Sequence, residues 1–332
     1  MKSPNTAPDT EYDSTPDDST PDDSRQEGST LDDDSTPGTA PARHAADPVP
    51  VPVPQEAVDR IVAAALAEDA PWGDLTSELL VPRDARASAV LTAREAGVFC
   101  GTQVIEAAFR LVSPETAVHF RVRDGEPFDA GRVLAEISGP ARAVLTAERV
   151  ALNLAQRLSG IATLTAAFVA RAAGTAARIT DTRKTTPGLR ILERHAVRCG
   201  GGHNHRFSLS DAVMAKDNHL ALLAAGGLDL AQALAAAKAR LPHTVHFEVE
   251  VDRLDQIEAA LAGGADTVLL DNFSPEDLRL GVELVAGRAL TEASGNVNLA
   301  TVAQIAATGV DLISAGALTH SVRALDLGLD LV

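Results

Sequence analysis

From Ile179 to the C-terminus, short apolar runs alternate with amphipathic stretches, and this alternation limits the fold more than any other feature of the chain. Strand-like runs fall at 179–182, 212–216, 245–251, 267–271, 289–293 and 311–315. Helical spacing fills the stretches near 189–199, 228–240, 252–263, 275–286 and 299–308. Repeated strand–helix units imply a parallel sheet, open or closed into a barrel. The six runs seen are too few for a complete eight-stranded barrel, although a seventh strand could hide in the glycine-rich stretch or a linking loop.

Parallel α/β folds bind ligands beyond the carboxyl ends of their strands, so the residues there form the candidate site. In chain order they are Arg183 and Lys184; Lys216, Asp217 and His219; Glu248 and Glu250; Asp271 and Asn272; Glu292, Ser294 and Gly295; and Ser314 and Gly316. Glu248 and Glu250 are two apart and share a strand face. The formal net charge is −17, yet cations gather between Arg183 and Lys216, beside Gly200, Gly201 and Gly202. Glycines let backbone amides approach a ligand, and guanidinium and ammonium groups hold carboxylates and phosphates. A small molecule with several negative charges is the expected ligand. A solvated charged face is the plainer reading of such a cluster. Its place at strand ends, and the glycine run before His203-Asn204-His205-Arg206, weigh against that.

Two segments, Ser294-Gly295-Asn296 and Ser314-Ala315-Gly316, read as phosphate-binding turns with exposed amides near helix N-termini. Glu250 and Asp271 are the pair expected to hold Mg²⁺, directly or through water, and the ribose hydroxyls, because Mg²⁺ takes few carboxylates plus substrate phosphates. A structural salt bridge is the alternative for either residue. His203 and His205 do not read as a zinc site, since no cysteine or carboxylate follows at suitable spacing.

The N-terminal part differs. Residues 1–54 repeat Ser-Thr-Pro-Asp-Asp units, are poor in apolar residues and read as a disordered acidic tail, with 48–54 a stiff polyproline linker. Residues 55–160 read as a small α+β domain: helices at 56–68 and 103–112, strands at 86–94, 97–99, 118–125 and 132–140, and a turn-rich segment at 68–77. One long helix, 146–171, leads onward, with Ser159-Gly160 a candidate kink. Residues 161–318 are then the α/β catalytic domain, and 319–332 a C-terminal segment expected to pack back on the N-terminal domain. No apolar run is long enough for a membrane span, and the acidic start does not read as a secretory signal. Strong negative charge speaks against nucleic acid. Cys100 and Cys199 form no disulfide pattern, so a reducing cytoplasm is the expected location and Cys199 reads as an incidental buried thiol.

The motifs Thr182-Arg183-Lys184-Thr185, Pro187-Gly188, Gly200 to Arg206, Lys216-Asp217-Asn218-His219, Glu248 to Val251, Leu270 to Phe273, Glu292 to Gly295 and Ser314 to Leu318 resemble those of the quinolinate phosphoribosyltransferases, over roughly residues 55–332. The resemblance implies an incomplete α/β barrel and carboxylating phosphoribosyl transfer in NAD biosynthesis: quinolinate and phosphoribosyl pyrophosphate become nicotinate mononucleotide, pyrophosphate and carbon dioxide. It also implies that Arg149, Arg183, His205, Arg206 and Lys216 hold the two carboxylates, with Thr182 beside them, and that Lys184 and Lys216 face the phosphoribosyl pyrophosphate. Lys184, Lys216, Glu250 and Asp271 are then the catalytic set. A homodimer or higher homo-oligomer with shared sites is implied too, with Arg149 entering the neighbour's. The rivals are a phosphoribosyltransferase for another pyridine or ring acid, a Schiff-base aldolase and a non-catalytic phosphosugar-binding protein. The aldolase is disfavoured because neither Lys184 nor Lys216 has an apolar setting.

Overall fold

The computed structural model describes residues 52–332 apart from Gly226 and Leu228. The disorder expected of the acidic tail concerns residues 1–51, which lie outside the described residues. Val53, expected in the linker, instead belongs to the core: it is buried, its amide donates to Gln103 Oε1 at 2.9 Å and its carbonyl accepts from Gln103 Nε2 at 2.8 Å.

The first part of the chain runs α1 (Gln55–Asp69), α2 (Leu75–Leu80), β1 (Arg86–Ala93), β2 (Gly97–Val98), α3 (Thr102–Val112), β3 (Ala117–Phe120), β4 (Pro127–Phe128), β5 (Val133–Pro140) and α4 (Ala141–Ala172). The second runs β6 (Arg178–Thr180), α5 (Arg190–Cys199), β7 (Val213–Ala215), α6 (Asp217–Ala225), α7 (Leu230–Lys238), β8 (Phe247–Val251), α8 (Ile257–Ala262), β9 (Thr267–Asp271), α9 (Pro275–Val285), β10 (Leu290–Ser294), α10 (Val302–Ala306), β11 (Leu312–Ser314), α11 (Ala317–His320) and β12 (Leu327–Leu331).

Three sheets follow from this order, the smallest being the antiparallel pair β2-β4. An antiparallel sheet, β12-β1-β5-β3, belongs to the N-terminal part; its outer strand β12 comes from the end of the chain and pairs with β1 from Ala89↔Leu331 to Ala93↔Leu327. A parallel sheet runs β6-β11-β10-β9-β8-β7. Beside β6, at its free edge, Thr180 makes a parallel bridge with His203, so the glycine-rich stretch does supply one rung of a further strand. The sheet curls: His205, two residues past that bridge, reaches Glu248 on β8 at 3.1 Å and Glu292 on β10 at 3.5 Å. The fold is thus an incomplete α/β barrel joined to a smaller α+β domain. Val249, Val268, Leu270, Ala293 and Ile313 are buried in the core.

The strand expected at 212–216 ends at Ala215, and helix α6 begins at Asp217. The Lys216 amide donates to His219 Nδ1 at 3.0 Å and the Lys216 carbonyl accepts from the Leu220 amide at 2.9 Å, which starts α6 instead of extending β7. Helix α2, expected only as turns, is capped by Asp74, whose carboxylate accepts from the Ser77 amide. The long helix begins five residues earlier than expected, directly after Pro140, and Thr146 lies within it with its hydroxyl donating to the Arg142 carbonyl.

Gly160 lies inside α4, where its role is close packing. A Cβ there would lie 2.2 Å from the Arg323 carbonyl oxygen, on the strap that leads to β12. In an open helix Gly→Ala stabilises by about 1 kcal/mol. Here the sign reverses: Gly160→Ala is expected to destabilise by about 1–3 kcal/mol through overpacking, measured by urea unfolding. A variant as stable as the parent would show that the strap yields freely.

Candidate active site

Asp181, the residue after β6, organises the mouth of the barrel. It is fully buried. One oxygen accepts from the His205 amide at 2.7 Å and from Arg194 Nη1 at 3.3 Å; the other accepts from Asn204 Nδ2 at 2.6 Å. Burial pushes its pKa up to about 6, against the opposing pull of Arg194 and these hydrogen bonds. Arg194 and Arg190, four apart on α5, also donate to the Arg206 and Phe207 carbonyls at 3.2 and 3.1 Å. The loop from Gly202 to Phe207 is therefore fixed from its outer side.

A second network fixes the loop after Asp181. Glu193, fully buried, accepts from Arg157 Nε at 2.8 Å and from the Thr186 amide at 3.1 Å. Arg157 also donates to the Thr186 hydroxyl and the Thr319 carbonyl, and Thr319 Oγ1 donates to the Lys184 carbonyl at 2.8 Å. Together these bonds tie α4, α5 and α11 to the loop that carries Arg183 and Lys184.

Within the barrel mouth lies a cavity of about 400 Å³. Of the residues picked out by sequence, Thr182, Arg183, Lys184, His205, Arg206, Lys216, Glu250, Asp271, Ser294 and Ser314 line it together. Glu292, also picked out at a strand end, lines it too, and so do Met214 and Leu269, which were not picked out. Both sit on strands two residues from a residue that was, so the strand alternation held the signal. A neighbouring hollow of about 690 Å³ shares Glu250 and Asp271 and adds Asp217, Asn218 and Arg253. The two carboxylates therefore stand between two spaces.

The cationic side of the cavity is short of acid partners. Burial, and next the neighbouring Arg183, hold Arg206 below the ordinary arginine pKa. Arg183 Nε is buried with no hydrogen-bond partner among the described residues. Like charges packed together with an unpartnered donor suit an anionic ligand. Lys216 is different, since its ammonium is paired with Glu250. On the barrel floor, His205 sits between Glu248 and Glu292. Burial alone would lower its pKa, but hydrogen bonding to the two carboxylates outweighs this and raises it to about 10. Burial raises Glu248 in turn, opposed by His205.

Other expected residues lie differently. Arg149 is exposed on α4 and lines neither space. Gly295, Asn296, Ala315 and Gly316 do not line the cavity. The Ala315 amide donates to the Thr180 carbonyl at 3.1 Å, so it completes the sheet and is not an exposed donor. Gly295-Asn296 does not open a helix: Asn296 and Asn298 bond within a loop, and α10 starts only at Val302. Gly316 leaves room for Lys184, whose Cδ would lie 3.0 Å from an added Cβ.

Glu250 and Asp271 fit the Mg²⁺ role by donor chemistry. They are two carboxylates at the ends of neighbouring strands beside open space, and Mg²⁺ is commonly bound by one or two carboxylates with substrate phosphates.

Comparison with known proteins gives one direction. Residues 74–159 match the family described as quinolinate phosphoribosyl transferase, N-terminal domain, and residues 161–330 its C-terminal domain. The chain is 43% identical over 280 residues to the nicotinate-nucleotide pyrophosphorylase [carboxylating] of Mycobacterium leprae, covering 81% of this chain and 95% of that one. It is 41% identical over 288 residues to the chloroplastic enzyme of that name from Arabidopsis thaliana, covering 81% of each. The solved nicotinate-nucleotide pyrophosphorylase of Francisella tularensis is similar with a TM-score of 0.79 and 38% identity, over 85% of this chain and 98% of that one.

The raised His205 pKa has a measurable consequence. Its folded value lies above its ordinary 6.5, so its contribution to stability is complete below about pH 6.5 and is lost as pH rises through about 10. The His205 ring signals in NMR are expected to stay constant between about pH 7 and 9, and the stability gap between the parent and His205→Gln to narrow above that range. A midpoint near 6.5 would mean that the two glutamates do not hold the charge.

Proposed function

The chain belongs to the quinolinate phosphoribosyltransferase family, and we propose that it carries out carboxylating phosphoribosyl transfer in NAD biosynthesis. Quinolinate and phosphoribosyl pyrophosphate are its substrates; nicotinate mononucleotide, pyrophosphate and carbon dioxide are its products. The observation that carries this reading is the pairing of the crowded cations Arg183 and Arg206 with the carboxylates Glu250 and Asp271 in one barrel mouth. Neither half alone serves a dianionic ring acid and a sugar carbon that becomes cationic.

The residues divide the work by charge. Arg183, Arg206 and the cationic His205 hold the two ring carboxylates and so orient the ring nitrogen toward the anomeric carbon. As the nitrogen–carbon bond forms, the bond to the pyrophosphate oxygen breaks, and the sugar passes through an oxocarbenium-like state. Glu250 and Asp271 bind the ribose hydroxyls and stabilise that positive charge. Lys184 and Lys216 take up charge on the departing pyrophosphate, for which Lys216 exchanges its contact with Glu250. Ser294 and Ser314 receive the sugar phosphate. Mg²⁺, held by Glu250 and Asp271, would neutralise the pyrophosphate oxygens. The ring nitrogen of the adduct is cationic, so the adjacent carboxylate leaves as carbon dioxide and its electron pair returns to the ring carbon, which takes a proton.

The assay is pyrophosphate release. It should require both quinolinate and phosphoribosyl pyrophosphate. Nicotinate should react very poorly, because its single carboxylate leaves a buried cation unpaired. Glu250→Gln and Asp271→Asn should each lower turnover at least tenfold, about 1.4 kcal/mol in the barrier, and raise the Mg²⁺ requirement. Equal specificity constants for the two acids would instead favour a phosphoribosyltransferase for another ring acid.

A homodimer that completes the site is part of the proposal. Trp72, Leu75, Leu79 and Leu80 are exposed side by side in sequence, at 91%, 70%, 81% and 77%. With Thr146 they flank one hollow through Leu75, and Arg149 stands one turn on from Thr146. A second chain covering this apolar ground would receive Arg149 in its own barrel. Arg149→Ala and Lys216→Ala should each be nearly inactive, and co-refolded mixtures should recover about a quarter of parental activity, from one intact site in each mixed dimer. A mixture that exchanges subunits by mass yet stays inactive would place both residues in one chain's site.

A further inference from the structure

Apart from the residues that line the barrel mouth, four side chains from three segments meet in the interior. Cys100 follows β2, Asp124 lies in the turn between β3 and β4, and His195 and Cys199 are four apart on α5 and so share a helix face. Their donor atoms all lie within 4.8 Å of one another. His195 Nε2 is 3.0 Å from Asp124 Oδ2 and 3.4 Å from Cys199 Sγ. Tetrahedral zinc at its usual bond lengths spaces nitrogen and oxygen ligands about 3.4 Å apart and nitrogen and sulfur ligands about 3.6 Å apart. The observed spacing is within a few tenths of an ångström of both.

The donors are also aimed. Asp124 turns one oxygen, Oδ1, to the Gly101 and Thr102 amides at the start of α3, at 2.9 and 3.1 Å, and leaves Oδ2 for the cluster. Cys100 is held by its backbone, its amide donating to Ser159 Oγ and its carbonyl accepting from the same hydroxyl, both at 3.1 Å. Such outer bonds are what orient metal ligands. Both thiols are buried, and the side chains of His195 and Asp124 are only 9% and 13% exposed. A hard oxygen-seeking cation does not suit two thiolates, whereas two sulfurs, one imidazole and one carboxylate are a closed zinc set.

We propose that Cys100, Asp124, His195 and Cys199 form a four-coordinate structural zinc site that fastens α5 to the N-terminal domain. Binding releases the two thiol protons and the proton shared by His195 and Asp124 to solvent, and forms two zinc–sulfur bonds, one zinc–nitrogen bond and one zinc–oxygen bond. The site lies apart from the proposed reaction and stands whether or not that reading holds.

The test uses the full chain, freed of metal, reduced with a phosphine and carrying no metal-binding tag. Titrated with Zn²⁺, it is expected to take up one ion per chain and to melt higher by about 5 °C or more. Titrated with Co²⁺, it should show the visible bands of a tetrahedral site and thiolate charge-transfer absorption. Cys100→Ser and Cys199→Ser should lose both signals. Asp124→Asn keeps an oxygen for the α3 amides and is expected to fold, with zinc affinity lower by about tenfold or more. The proposal is overturned if the reduced parent binds no zinc, if Cys199→Ser binds it as well as the parent, or if cells yield a Cys100–Cys199 disulfide and the reduced chain stays metal-free.

Discussion

Charge inside a parallel barrel is the constraint on which the rest of this structure depends. Glu248 and Glu292 project into the interior, where each is almost completely buried, and an isolated carboxylate there costs several kcal/mol. His205 answers both with one ring nitrogen, Nε2. It is delivered by a loop that belongs to no regular strand and is pinned instead by its own amide on Asp181. Asp181, in turn, is buried and needs Arg194 and Asn204. Each buried charge thus calls for the next, from the barrel floor outward to α5. The chain of partners ends at Arg206, whose Nη1 donates to the Ala212 carbonyl, and at Arg183, whose Nε has no hydrogen-bond partner among the described residues.

Helix α4 makes this arrangement possible by accepting very close neighbours. Three glycines mark the places. A Cβ on Gly101 would sit 3.2 Å from Ala155 Cα, and one on Gly200 would sit 2.4 Å from the Ala162 carbonyl oxygen. Gly160, on α4 itself, meets the Arg323 carbonyl. The N-terminal domain, the glycine run and the C-terminal strap each press backbone against this helix. The glycine run reads in sequence as a ligand-approach loop; at Gly200 its first requirement is packing, and only from His203 onward does the backbone serve the site.

Strands were legible wherever burial imposed its period. β8, β9 and β10 fall within two residues of the sequence expectation because most of the residues facing away from the cavity are apolar and buried. The polar strand ends stood out against these apolar runs, and eight of the residues chosen from them share one cavity. What sequence did not show is fixed by contacts between distant segments. Helix α6 starts because a histidine ring closes the turn at Lys216. The Ala315 amide is taken by Thr180, from a strand far back in the chain. Asp181 read as one more strand residue, because nothing local marks it as the anchor of a loop that arrives over twenty residues later. Cys199 looked incidental for a similar reason, since its neighbours Cys100 and Asp124 come from another domain.

Helix α5 joins these levels through its own geometry. Residues four apart on a helix share a face, and α5 uses two such pairs. Arg190 and Arg194 turn to the loops carrying Arg183 and Arg206, with hydrogen bonds to Thr185 and Asp181. His195 and Cys199, one position further round, turn to Asp124 and Cys100. Between them Glu193 takes Arg157 from α4, while Leu192 and Ala196 fill the core. A ten-residue helix with nearly every face engaged cannot slide or rotate without breaking several buried polar contacts at once. The cationic loops hang from one side of it. Their spacing, on which the grip on a planar dicarboxylate would depend, is therefore set as much by what holds the opposite side of α5 to the N-terminal domain as by any residue within the cavity.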